Sequence, residues 1–182
     1  MSDAVKQGSK PEAERPWMPE GYMKPTTEEK MLKWDDVSEL LRGALNYWIA
    51  TTTADGRPHV RPVWGAWSKD ILYFDGSPAT GWGRNIQRDP RISVQVEAGD
   101  IAIIVEGDVV GIDHAEEELV TRLLEEYGAK YLPKYNYSAD AGVWREHGLF
   151  SLHPRKIFAW DVTEFGTSPT KWTFDSTARE AK

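Results

Sequence analysis

The chain has no cysteine among its 182 residues. That excludes a disulfide framework, a thiolate metal site and a cysteine nucleophile, and it fits a reducing compartment. No apolar run approaches the roughly 18 residues of a membrane span, and the opening MSDAVKQGSKPEAERPWMPEGYMKP carries no apolar core of a signal peptide. The expectation is a cytoplasmic protein with no membrane segment. Basic residues are the minority, 22 Lys and Arg against 29 Asp and Glu, for a formal net charge of −7. Nucleic-acid affinity rests on basic side chains that displace counterions, so no nucleic-acid partner is expected and any phosphate site must be local.

Several catalytic patterns are missing as well. Neither a Walker loop nor a GxGxxG between strand and helix occurs, and there is no GxSxG nucleophile elbow. His59, His114, His147 and His153 lie far apart and form no HExxH pair, so no metal is expected. His153, followed by Pro154, reads as a turn residue. Glu116, Glu117 and Glu118 fall on the solvated face of a predicted helix.

Hydrophobic residues make up 40% of the chain and aromatic residues 12%, enough for one core in a chain of this length. Residues 1–25, with Pro11, Pro16, Pro19 and Pro25 among charges, read as a flexible arm that Trp17, Met18, Tyr22 and Met23 could fix to a neighbouring subunit. Residues 26–175 form the domain, and 176–182 a tail. Met31, Trp34, Val37, Leu40, Leu41 and Leu45 recur at helical spacing, which predicts a helix capped by Thr26 or Thr27, with Glu28 and Glu29 in its first turn, ending near Asn46.

Short β-prone runs separated by turn signals follow: 47–53, 58–67, 71–75, 91–97, 101–113 with a bend at Gly107, 149–152, 156–165 and an edge strand at 172–174. A helical turn is expected at 84–89 and another at 143–147. A helix is expected at 114–130, capped by Asp113, with an irregular stretch at 133–142. Hairpin connections rather than helical crossovers point to a mainly β protein, a small antiparallel barrel or sandwich with accessory α-helices.

Two segments carry chemical information. In GRPHVRPVWGAW (56–67), Pro58 and Pro62 each remove a backbone donor and so leave main-chain groups for a ligand. In YFDGSPATGWGRNIQRDPRISV (73–94), Gly76, Gly81 and Gly83 permit close backbone approach beside Arg84, Arg88 and Arg91. That suits a small phosphorylated ligand; the alternative is a barrel-corner loop whose arginines pair with Asp75, Asp89 or Glu97.

Together these segments resemble the pyridoxamine 5′-phosphate oxidase-like, or flavin/deazaflavin oxidoreductase, split-barrel family. IATTTADGRPHVRPVWGAW resembles its opening hairpin, and LYFDGSPATGWGRNIQRDPRISVQVE its phosphate-loop segment; the likeness runs more loosely to PRKIFAWDV, about residues 35 to 175 in all. The resemblance implies a six-stranded antiparallel Greek-key split β-barrel that works as a homodimer, with FMN or coenzyme F-420 between subunits. It places the main chain of Arg61, Pro62, Val63 and Trp64 along the ring. Asp75, Gly76, Ser77, Thr80, Gly81, Trp82, Arg84 and Asn85 would surround the ribityl and phosphate end.

One departure stands out. Where many members carry S-R-K-x-R-N, this chain reads Thr80-Gly81-Trp82-Gly83-Arg84-Asn85, so both basic positions are replaced, and Arg61 is a substitute. The ending WTFDSTAREAK also lacks the R-L-x-P segment of true pyridoxamine phosphate oxidases. Tyr127, Tyr131 and Tyr135 at spacing four, with Tyr137 and Trp144, read either as core packing or as an aromatic lid for a flat substrate. The expected function is hydride transfer between a flavin or deazaflavin and a flat small organic substrate. The alternative is a non-catalytic protein of the same fold that holds flavin, haem or another tetrapyrrole. His59 and Tyr131 are worth mutating, but the sequence assigns no catalytic residue.

Overall fold

The computed structural model describes residues 10–22, 30–146 and 148–174. Alternation of apolar and polar residues makes the strands. In β2 (Tyr47–Thr52) the side chains of Tyr47, Ile49 and Thr51 are buried, and in β6 (Arg91–Ala98) those of Ile92, Val94 and Val96. Hairpins join β2 to β3 (Pro58–Val63), β4 (Gly65–Ser68) to β5 (Ile71–Asp75), and β6 to β7 (Ile101–Ile112), all antiparallel. The long β8 (Leu149–Asp161) lies beside β7, and its other edge is shared: Leu149–Leu152 pair with β5, Lys156–Ala159 with β9 (Thr170–Thr173). The main path runs β1-β9-β8-β7-β6-β2-β3, with β1 at Ala13–Glu14. Among the described residues no ladder joins β3 to β4, so the mainly β barrel is split between them.

Two cores result. The barrel interior collects Ile49, Phe74, Val94, Ile103 and Ile157, and α1 (Trp34–Gly43) closes one end with Trp34, whose ring centroid is 6.5 Å from that of Trp67 and 5.5 Å from that of Trp172. The second core lies outside β4 and β5, where α3 (Glu117–Tyr135) and α4 (Ala141–Glu146) bury Val120, Leu123, Tyr127, Tyr131 and Trp144. No helix among the described residues is long and apolar enough to cross a membrane.

The structure redraws several sequence boundaries. The run at 58–67 is two strands, because Trp64 leaves the ladder where the chain changes partners from β2 to β5. His153 and Pro154 do not turn but continue β8. The register shifts between Glu106 and Gly107 and leaves Arg155 without an opposite residue, a bulge that accommodates a proline in a central strand. The third helix starts at Glu117 rather than 114, with Glu116 and not Asp113 at its N-cap, and runs through Pro133, so only the stretch after Tyr135 is irregular.

The helix at 84–89 is a fuller α2 (Gly81–Arg88), and the last strand is 170–173. The first helix starts at Trp34 with Lys33 at its N-cap, not at Thr26 or Thr27, and ends at Gly43 rather than near Asn46; Thr26, Thr27, Glu28, Glu29, His147 and the tail 176–182 lie outside the described residues. Part of the N-terminal arm lies on its own chain: Ala13–Glu14 extend the sheet beyond β9, and Lys171 meets Glu14 at 2.9 Å.

Candidate functional site

Cross-strand register sets which side chains of β3 face inward. Val63, Arg61 and His59 lie opposite Tyr47, Ile49 and Thr51, whose side chains point into the barrel, so these three share its inner face. Pro62, Val60 and Pro58 lie opposite Trp48, Ala50 and Thr52 on the outer face. Among the described residues β3 pairs only with β2, leaving its second edge unladdered along Arg61–Val63. Arg61 and Pro62 are exposed there, and the Arg61 guanidinium donates to the Val60 carbonyl at 2.7 Å.

The glycine-rich loop leads into α2. Thr80 is its N-cap: the hydroxyl oxygen accepts the Gly83 amide at 3.0 Å, and the hydroxyl donates to the Ser77 carbonyl at 2.9 Å. Ser77 in turn accepts from the Ala79 amide at 3.2 Å. Two of the glycines serve packing rather than ligand access. A Cβ on Gly76 would stand 2.6 Å from the Trp82 ring, and one on Gly83 2.6 Å from the Pro78 carbonyl oxygen. Gly81 is exposed, and the His59 Nε2 lies 3.6 Å from where its Cβ would stand.

Trp82 does not line the loop surface with its side chain. It is 9% exposed and packs on Phe74 and Phe150, with centroids 5.7 and 5.3 Å away, so any contribution to a ligand comes from its main chain. Asn85 is also buried, donating to Thr51 Oγ1 at 3.0 Å, which ties α2 to β2. The three arginines do different things. Arg91 pairs with Asp89 at 2.7 Å and helps hold that carboxyl down at about 2. Arg88 donates to the Thr52 carbonyl, and the exposed Arg84 to the Ala79 carbonyl.

At the split, α3 satisfies the backbone groups that the broken ladder leaves. The Gly65 amide donates to Tyr131 Oη at 2.9 Å, Tyr127 Oη donates to the Trp64 carbonyl at 3.3 Å, and Lys130 Nζ donates to the carbonyls of Gly65 and of Ala44, the latter at 2.9 Å. The Trp64 indole stacks on Tyr131 and Tyr135, centroids 4.7 and 5.1 Å away, and meets the edge of Tyr137 at 5.0 Å. Tyr127, Tyr131 and Trp144 are therefore core, whereas Tyr135 is exposed. Asp75 belongs to the same cluster: its carboxylate accepts the Trp144 indole N–H at 3.2 Å, and burial pushes its pKa up.

Lys130 and Thr51 escaped the sequence reading, because their partners are main-chain carbonyls and side chains far along the chain. Burial holds the Lys130 ammonium down at about 8, against 10.5 ordinarily. Below pH 8 folded and unfolded chains are both protonated there. Between about pH 8 and 10 the unfolded chain keeps a proton that the folded one releases, so stability rises with pH. Above pH 10 the buried phenols, with Tyr131 pushed up to about 12 and Tyr47 and Tyr127 also raised, hold protons that the unfolded chain loses, and stability falls. Urea midpoints measured from pH 7 to 10 should rise for wild type and stay flat for Lys130→Met. Equal slopes would remove Lys130 as the cause.

The site residues thus fall into two neighbourhoods. His59 and Gly81 meet beside the Arg61 face of β3; Trp64, Asp75 and the α3 tyrosines form the other. Among the described residues no group of three or more His, Asp or Glu is placed to hold a metal ion.

No curated protein matches the chain by sequence. Solved structures share its fold. A pyridoxamine 5′-phosphate oxidase-related, FMN-binding protein of Nostoc punctiforme is 13% identical, with a TM-score of 0.54 over 78% of this chain and 96% of that one. An F420 reductase is 22% identical, with a TM-score of 0.52 over 77% and 98%. HutZ, the haem storage protein of Vibrio cholerae, is 16% identical, with a TM-score of 0.55 over 72% and 97%. At these identities the likeness concerns the fold. Residues 34–161 match the family model described as pyridoxamine 5′-phosphate oxidase. That match covers more than half of the chain and spans both the split at Trp64 and the loop before α2, so the chain belongs to the pyridoxamine 5′-phosphate oxidase family.

Proposed function

We propose that this protein is an oxidoreductase that binds FMN or coenzyme F-420 along β3 and acts on a flat small organic substrate. The observation that carries the reading is the unladdered edge of β3 at Arg61–Val63, next to the loop that opens α2. The donor set fits a phosphorylated ring cofactor. Main-chain groups at the β3 edge suit ring heteroatoms, and Arg61, Arg84 and the imidazole of His59 suit a phosphate. When bound, a flavin or deazaflavin supplies the hydride donor or acceptor.

The chain's own residues orient and shield. Arg61 supplies positive charge in an otherwise acidic protein. The Trp64 indole, held against Tyr131 and Tyr135, gives a rigid apolar wall at the split against which a flat substrate would stack. The phenols of Tyr127 and Tyr131 and the ammonium of Lys130 hold that wall in place. A homodimer is part of the proposal. The outer face of the β2–β3 hairpin shows Trp48 48% exposed and Val60 44%, apolar surface suited to a second copy.

Titrating purified protein with FMN and with coenzyme F-420, read by tryptophan and cofactor fluorescence, tests this directly. Saturable binding of one is expected. Arg61→Ala should weaken it about tenfold, the scale of one charge-assisted contact. Failure of wild type to bind either would overturn the oxidoreductase reading. Tight binding of haem instead would favour a carrier or sensor on the same barrel.

A further inference from the structure

We propose, on the reading of the cofactor site along β3 given above, that His59 contacts the cofactor's phosphate and stands in for the basic side chain that the chain lacks at Gly81. Three observations converge on the imidazole. It lies on the inner face of β3, two residues from Arg61 on the same face. Its Nδ1 is 3.3 Å from Thr51 Oγ1, and Thr51 is itself held by the Asn85 amide at 3.0 Å. Thr51 and Asn85 are 4% and 7% exposed, so a buried pair fixes the ring. Its outer edge faces Gly81, with Nε2 and Cε1 at 3.6 and 3.7 Å from where a Cβ there would stand.

The chemistry follows from the hydroxyl. The Thr51 hydroxyl is within donating distance of both the His59 carbonyl, at 3.2 Å, and Nδ1; with its proton on Nδ1 the ring hydrogen sits on Nε2, the atom turned toward Gly81, where it donates to an anion. A Cβ at position 81 would touch the imidazole at ordinary contact distance, so a side chain there and the His59 ring border the same point, and glycine leaves the ring as the donor. Gly81, at the start of α2, and His59, in β3, thus lie far apart in sequence but at one point in the fold.

The test compares ligands that differ only by phosphate. Wild type, His59→Ala and His59→Ala/Gly81→Arg are titrated with FMN and riboflavin, and with coenzyme F-420 and its deazaflavin lacking the phosphodiester, with circular dichroism as the check on folding. His59→Ala is expected to bind the phosphorylated ligand at least about tenfold more weakly while holding the unphosphorylated ring unchanged. Gly81→Arg is expected to restore most of the loss, because the emptied space admits a guanidinium.

Should His59→Ala fail to fold, His59→Phe fills the same volume without ring nitrogens and carries the same comparison. Equal losses with and without the phosphate, or no loss, would overturn the assignment of His59 while leaving the cofactor site intact. Failure of wild type to bind any of the four overturns the site reading itself, and the His59 assignment with it.

Discussion

Replacing Gly107 with alanine is expected to destabilise the protein by at least about 3 kcal/mol, the upper range for forcing extra volume into a packed interior. Gly107 is buried where β7 crosses the bulge of β8. A Cβ there would overlap the carbonyl oxygen of His153 and stand 2.9 Å from its carbonyl carbon and from Leu152 Cδ1. Backbone on the partner strand cannot turn aside as a flexible side chain can. β7 and β8 are also the two longest strands, paired from Ile101 to Ile112, so a shift at Gly107 disturbs both halves of the barrel.

Gly111→Ala is the control, since the nearest atom to its Cβ is Phe150 Cε1 at 3.9 Å. Urea unfolding should show a much lower midpoint for Gly107→Ala with an unchanged slope, and little change for Gly111→Ala. Similar midpoints for the two variants would mean that the bulge can open.

Trp82→Lys, the substitution that would restore a family-like basic residue in the loop, is expected to lose about 4 kcal/mol and gain no affinity for a phosphate. The indole fills a pocket between Phe74 and Phe150, against the bare Cα of Gly76. Lysine at 82 leaves a cavity and places an ammonium among aromatic rings. Gly81→Lys adds the same charge one residue earlier on an exposed position, where the expected change in stability is within about 0.5 kcal/mol. Thermal unfolding of both variants separates the two positions. A Trp82→Lys protein as stable as wild type would show that residue 82 can face solvent.

These two positions show where sequence reasoning reached and where it stopped. The hairpin at 54–57, the paired strands read at 91–97 and 101–113, each within a residue of the observed ends, and the bend at Gly107 were legible, because alternation and turn residues are local properties of the chain. The continuity of β8 through His153-Pro154 was not. A proline in a central strand reads as a break until the partner strand is seen to have shifted register opposite it. The glycine-rich loop was recognisable as special, but its glycines look alike in sequence. Only packing separates Gly76 and Gly83, pressed against Trp82 and Pro78, from Gly81, which is open beside His59.

The tyrosine repeat at spacing four posed the same limit. Helical periodicity places Tyr127, Tyr131 and Tyr135 on one face of α3, and nothing local says what that face meets. The fold sets Tyr127 and Tyr131 against the main chain of the split and leaves Tyr135 exposed.

By itself, then, the sequence determined the mainly antiparallel β architecture with accessory helices and singled out the two segments proposed to carry the site, since local periodicity and turn chemistry mark both. Only the tertiary structure decided where the barrel splits, which loop residues face solvent, and that His59 lies over Gly81. Each of those depends on which strand edge lies beside which helix, a contact between residues far apart in the chain.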